Sequence, residues 1–188
     1  SKKTDKMRVQ LTADGYYNHV KDMIVAVPYN MFIWTCINVG KVRVLGADVT
    51  VDGSYDLGHD QKLLFNGSYS YQKAENRTTE ESEVYGNQIA YIPEHTGSIA
   101  IGWENPVVSL SLHGSGLSSR WDNNQHTEGS LIEGYWDTGI TAYHTFCWSG
   151  QKLEVRLDIK NILNKQYEIV HFYPMPGRSW QASVKYQL

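Results

Sequence analysis

From Trp180 to Leu188 every second residue is apolar: Trp180, Ala182, Val184, Tyr186 and Leu188 alternate with Gln181, Ser183, Lys185 and Gln187. Successive side chains of an extended chain point to opposite sides, so this pattern dictates a strand with one dry and one wet face. What such a strand belongs to depends on how many companions it has and on what covers its dry face.

Companions run through the whole chain. Period-2 alternation with turn punctuation gives about eight segments and almost nothing helical. Met7, Val9, Leu11, Ala13 and Tyr17 oppose Arg8, Gln10, Thr12, Asp14 and Asn18 in a first strand over about 7–20, followed by a break at Lys21-Asp22 and an apolar stretch from Ile24 to Val27. A second, over about 32–57, sets Leu45, Ala47, Val49, Val51, Tyr55 and Leu57 against an acidic face with Asp48, Asp52 and Asp56. A third alternates through Leu63, Phe65, Tyr69 and Tyr71, a fourth ends in Ile99, Ile101 and Trp103, and a fifth carries Val108, Leu110 and Leu112. A sixth runs over about 135–148, a seventh sets Leu153, Val155, Leu157 and Ile159 against Glu154, Arg156, Asp158 and Lys160, and the terminal strand is the eighth.

The connections alternate too. They are short at His59, Asn105 and Gly150, and longer after Val20, Lys73, Trp121 and Val170. Residues Glu75 to Gln88 and Asp122 to Glu133 read as polar loops, the first too polar to pack. Short turns at one rim and long loops at the other are the mark of an up-and-down meander of the outer-membrane barrel type.

A helical membrane span would need about 18 consecutive apolar residues; the densest run, Met23 to Val27, stops at Pro28. A transmembrane strand needs only about 10 alternating residues, so a mean hydropathy of −0.45 is compatible with one. The aromatics favour lipid over a soluble partner sheet. Trp136 and Trp148 share parity with Ile140, Ala142 and Phe146, interrupted by His144. Twelve positions span about 40 Å of strand, or about 28 Å of height at a tilt near 45°, close to the spacing of two interfacial belts. On this reading Arg156, Lys160 and Lys185 point away from lipid. A net charge of −3, with 17 basic among 20 acidic residues, argues against nucleic acid as a partner. Cys36 and Cys147 lack metal or redox spacing, the histidines are scattered without ligand spacing, and no G-x-S-x-G motif is present, so no metal, cofactor or enzyme activity is expected.

Asn161-Ile162-Leu163-Asn164-Lys165-Gln166-Tyr167, then Pro176-Gly177-Arg178-Ser179-Trp180, then the alternating strand, resembles the C-terminal end of TonB-dependent outer-membrane receptors. Upstream, Asn38-Val39-Gly40-Lys41-Val42 with Gly46-Ala47-Asp48, and Tyr16-Tyr17-Asn18-His19-Val20-Lys21-Asp22-Met23-Ile24, are similar to earlier strands of the same family, with Asp48 where Glu is commoner. The resemblance implies an all-β, antiparallel, up-and-down transmembrane barrel segment of about eight strands, residues 1–188 forming the C-terminal part of a barrel of about 22 strands. The plug and earlier strands would lie elsewhere, as if the chain were cut from something longer.

It further implies a bacterial outer-membrane location, with the lipid bilayer, the missing plug and strands, the TonB energy-transducing complex through that plug, and a nutrient chelate as partners. The nutrient would be scarce, such as an iron-siderophore, haem or cobalamin. Ligand contacts are expected on the long-loop side from Tyr85, Asn87, Arg120, Trp121, Asn123, His126 and Tyr173, whose side chains stack or hydrogen-bond. Trp180, Tyr186 and Leu188 are expected to carry the barrel-insertion signal. Two alternatives share the alternation: a closed eight-stranded outer-membrane barrel, and a soluble β-sandwich binding carbohydrate through Trp121 or Trp136.

Overall fold

The computed structural model describes residues 6–28 and 32–187. Twelve strands follow in chain order: β1 (Met7–Pro28), β2 (Trp34–Gly58), β3 (Gln61–Asn76), β4 (His95–Glu104), β5 (Ser109–Leu117), β6 (Arg120–Trp121), β7 (Leu131–Ile132), β8 (Tyr135–Trp148), β9 (Gln151–Lys160), β10 (Glu168–Val170), β11 (Tyr173–Pro174) and β12 (Ser179–Gln187). Eight of them form one antiparallel sheet in the order β1-β2-β3-β4-β5-β8-β9-β12. The other four make two small hairpins, β6 with β7 and β10 with β11, inside the long connections. The short turns after Gly58, Glu104 and Trp148 all lie at the opposite rim.

Register converts eight alternating sequences into two chemically opposed surfaces. One row crosses the whole sheet as Val9, Gly53, Phe65, Ile101, Leu112, Ile140, Ile159 and Trp180. The adjacent row, on the other face, reads Arg8, Ser54, Leu64, Gly102, Ser111, Thr141, Asp158 and Gln181. A slip of one residue in any strand would exchange these sets, so the register is strongly specified. Arg156, Lys160 and Lys185 fall on the polar face, where Arg156 donates to Asp158 at 2.9–3.0 Å and the Lys160 ammonium to Gln181 at 3.1 Å. His144 lies on the apolar face as the interruption of the β8 stripe, edge-on to Phe146 at 4.4 Å between ring centres.

Among the described residues the apolar face has no protein cover. Leu11 is 69% exposed, Val184 68% and Trp180 64%, whereas the two large side chains that are fully buried among the described residues are Ile89 and Val42. A contiguous dry surface of this extent requires a partner or a bilayer. The single sheet has no second sheet packed on it, which removes the β-sandwich. Nor is it a closed eight-stranded barrel: among the described residues β1 and β12 each end the sheet and do not pair with one another. Each therefore presents an unpaired edge that further strands can extend.

Two expectations are corrected in detail. The break at Lys21-Asp22 does not end the first strand. β1 continues through a bulge between Val20 and Ile24, with Asp22 at φ 55°, and pairs on to Pro28 opposite Trp34. The stretch from Glu75 is not too polar to pack. Glu75 and Asn76 complete β3 and are buried, because the Glu75 carboxylate accepts from Arg43, Lys73 and Arg77. Beyond them the loop folds back over the polar face, and Ile89 joins Val39, Val42, Val44 and Ala74 in a small core at the long-loop end.

Candidate functional site

Three long connections and the loop-end arms of the β1–β2 hairpin, at Val27 and Ile37, meet above the polar face. The first, after β3, is tied to its own strand by Ile89 N–H donating to Ala74 O at 2.8 Å and Asn76 N–H to Asn87 O at 2.9 Å. It is zipped to the second, which holds the β6–β7 hairpin, by four further bonds. Asn87 Nδ2 donates to Asn124 O at 2.9 Å, Ala90 N–H to Asn124 Oδ1 at 2.8 Å, His126 Nε2 to Gln88 O at 2.9 Å, and Tyr91 N–H to Trp121 O at 2.7 Å. The second is tied to the third through Arg120. Its guanidinium donates to Glu168 O at 3.0 Å and to Ile169 O in the β10–β11 hairpin. His171 hydrogen-bonds Asp122 across the same boundary.

These ties enclose a cavity of about 390 Å3. Val27 and Ile37 supply an apolar wall from the hairpin and Phe172 a third apolar group, while Tyr91, Asp122, His171 and the amides of Asn123, Asn124 and Gln125 supply polar ones. Burial, reinforced by the Asp122 charge, pushes the Tyr91 phenol up to about 12, so it stays a neutral hydroxyl. Burial likewise depresses Arg120, which is 3% exposed and whose Nη1 has no hydrogen-bond partner among the described residues. A second concavity, of about 540 Å3, runs down the polar face between Asp52, Asn66, Ser111, His113, Tyr143 and Arg156. A ligand meeting the first would find one aromatic hydroxyl, one carboxylate, one imidazole, three amides and an apolar wall; the second is separate and mixes Leu64 and Ala100 with the polar groups just named.

The residues expected to meet a ligand separate into groups. Asn123 lines the cavity. Trp121 and His126 stack face to face beside it at 4.5 Å. Asn87 and Arg120 hold the loops together through the bonds above. Tyr85 sits apart, with the Arg77 guanidinium 4.8 Å above its ring, and Tyr173 lies in β11, 38% exposed. Of the expected insertion signal, Trp180 and Tyr186 stand on the apolar face, and Leu188 lies outside the described residues. Tyr91, Asp122, His171 and Phe172 were not singled out as ligand contacts from the sequence. Asp122 and His171 are separated by 49 positions, and no local spacing signals their meeting.

The Asn161 to Tyr167 motif acquires a mechanical explanation. Asn161, at φ 48° and 3% exposed, accepts Lys165 N–H at 2.8 Å and donates to Lys165 O at 2.9 Å and Pro176 O at 3.2 Å. Asn164 Oδ1 accepts Arg178 N–H at 2.9 Å across Gly177, where a Cβ would come within 2.8 Å of that same oxygen. Tyr167 stacks on Tyr135 at 4.1 Å and donates to Asp137 at 3.0 Å. The motif is thus the clamp that turns the chain from β9 into β12.

Burial first, then the hydrogen bond to Asp137, raises the Tyr167 phenol to about 12. A raised acid favours the folded state below its unfolded value near 10, and that contribution is lost as pH rises through about 12. Ultraviolet titration of the phenols should therefore show a late-ionising phase that contains both Tyr91 and Tyr167, and Tyr167→Phe should remove one phenol from it; an unchanged late phase would refute the assignment.

The family profile described as TonB dependent receptor-like, beta-barrel matches residues 3–162. Among solved structures the chain resembles the ferric preacinetobactin receptor BauA of Acinetobacter baumannii, at 19% identity and TM-score 0.68, over 96% of this chain and 27% of that one. It resembles the ferric-catecholate import receptor Fiu of E. coli K12 at 18% identity and TM-score 0.69, over 94% of this chain and 25% of that one. It also resembles the copper transporter OprC at 19% and 0.64, over 96% of this chain and 28% of that one. The chain spans about a quarter of the length of these proteins, and at such identities they show the fold. The match over most of its residues places the chain in the TonB-dependent receptor β-barrel family, whose members are transport receptors of the bacterial outer membrane and not enzymes.

Proposed function

We propose that the chain is the C-terminal barrel wall of a TonB-dependent receptor that actively imports a scarce nutrient across the outer membrane, as an iron-siderophore, haem or cobalamin chelate. The observation carrying this reading is the wall itself: one face is apolar from β1 to β12, and the other is polar, with a loop-bounded cavity at one end and a separate trough between Asp52, Asn66 and Arg156. The free edges of β1 and β12 are where the earlier strands of the same barrel join, and the trough faces its plug, through which the TonB complex acts. BauA and Fiu are named for ferric ligands and OprC for copper, and a ferric chelate is the first ligand to try. Asn123 contacts it from the cavity wall, Trp121 and His126 from the stacked pair beside the cavity, Tyr85 and Tyr173 from the loops around, and Asn87 and Arg120 hold the frame. Trp180, Tyr186 and Leu188 serve as the insertion signal.

The test expresses the full-length receptor in cells lacking their own receptors for the chelates tried. Radiolabelled ferric siderophores, haem and cobalamin are then offered with and without TonB. One chelate is expected to accumulate only when TonB is present. Tyr91→Ala or His171→Ala should lower that uptake by about tenfold, the size of one or two lost polar contacts, at unchanged receptor abundance. Uptake of none of them, or equal uptake without TonB, rejects the reading.

A further inference from the structure

We propose that the apolar face carries, at its long-loop end, a binding site for one anionic lipid, whose phosphate is held by Arg43, Lys73 and Arg77 and whose acyl chain lies in a groove floored by Gly97 and Gly116. The site rests on the reading of this face as lipid-facing. Arg43 pairs with Glu75, Leu45 with Lys73 and Ala47 with Tyr71, so Arg43, Lys73 and Glu75 continue the parity of the apolar band and stand directly beyond its last rows.

The Glu75 side chain is 8% exposed and takes Arg43 Nε at 3.1 Å, Lys73 Nζ at 3.1 Å and Arg77 Nη2 at 2.8 Å. With Glu94 also acting on Lys73, two carboxylates against three cations leave one positive charge over. Glu75 also holds them converged, while Arg43 and Lys73 keep 39% and 43% of their side chains exposed with donors to spare. A cluster of this sign at the edge of a lipid-facing surface matches a phosphate at headgroup depth.

The groove is an independent observation. It holds about 260 Å3 on the same face, walled by Tyr69 and His95 on one side and by Trp136 on the other. Tyr69 and His95 are joined by a 2.8 Å hydrogen bond. The Trp136 ring lies so close over Gly114 and Gly116 that a Cβ on either would meet it within 2.8 Å. Tyr71 links groove to cluster, its ring centre 5.2 Å from that of His95 and its Cα two residues, about 6.6 Å, from Lys73. A free anion would need only the cluster and a neutral chain only the groove. Their adjacency selects an amphiphile with both.

The test uses the full-length receptor in phosphatidylcholine nanodiscs, with insertion scored first by protease resistance of the barrel. Native mass spectrometry then reads the adducts retained when phosphatidylglycerol or inorganic phosphate is added. One phosphatidylglycerol is expected to be retained about tenfold over phosphatidylcholine. The preference should fall to parity in Arg43→Gln/Lys73→Gln, and the adduct should be lost in Gly97→Leu. At Gly97 a Cβ has ordinary room, its nearest neighbours being Ser68 O at 3.4 Å and Trp136 at 3.7 Å, so the longer side chain fills the groove. Equal retention of both lipids overturns the site, as does a preference that survives either variant. Inorganic phosphate held equally by the wild type and Gly97→Leu, with no lipid preference, makes it a plain anion site and overturns the lipid assignment. A receptor that does not insert at all overturns the membrane reading and this site with it.

Discussion

Arginine in place of Leu157 is expected to cost about 2–4 kcal/mol of folding stability in a bilayer, the penalty for a cation at mid-depth on the lipid side of a barrel. Leu157 is 43% exposed on the apolar face and pairs with Ala142 and Ala182. Ala142 lies midway between Trp136 and Trp148, so the substitution falls where the dry band is deepest. The matched control is Gln181→Arg, on the other face opposite Asp158. There a cation loses the Lys160 bond and gains a like-charged neighbour, but it keeps water and the Asp158 carboxylate opposite, so the change should stay within about 1 kcal/mol. Denaturant midpoints of the full-length receptor refolded in phosphatidylcholine vesicles give both numbers. Equal costs at the two positions would mean that both faces see the same medium, and the lipid reading would fall.

The second large effect is expected at Asn161. Alanine there removes one acceptor and two donated bonds, leaving Lys165 N–H, Lys165 O and Pro176 O without them. Bonds of this kind contribute about 1 kcal/mol each, and alanine at positive φ adds about 1–2 kcal/mol. The total is about 4–5 kcal/mol. Glycine should recover only the backbone part, and aspartate, which retains the acceptor, should fall between. Midpoints for the three variants separate the contributions: equal stability of Ala and Gly would dismiss the backbone strain, and wild-type stability in both would dismiss the clamp. Hydrogen exchange should show the loosening confined to the segment between β9 and β12.

Much of this architecture was legible because period 2 survives in every wall strand. The seventh strand announced its two media through four charges facing four aliphatics, and the bounds of the sixth, Tyr135 to Trp148, coincide with β8. Legibility failed where long-range pairing overrides local composition. Glu75 and Asn76 look like loop residues because the three cations that satisfy Glu75 are partly remote in sequence: Arg43 lies 32 positions away. The hairpins β6–β7 and β10–β11 have two or three residues per strand, too short for any alternation to register. The loop-end cavity depends on contacts such as Asp122 with His171, which no spacing encodes. Asn123, expected on the long-loop side, does line that cavity, because it sits in one of the long connections that border it.

The strands also differ greatly in length: 25 residues in β2, 16 in β3, 10 in β4 and 9 in β12. At about 3.3 Å per residue this is a drop from roughly 80 Å to 30 Å of strand, and β2 runs on from Val42, its last partner for β3, to Trp34. The mouth this wall borders is consequently oblique, a parapet on the β1–β2 side descending to a low sill at β12. On the reading proposed above, a chelate would meet this rim first at its high side, so strand length would bias the direction of approach before any side chain touches it.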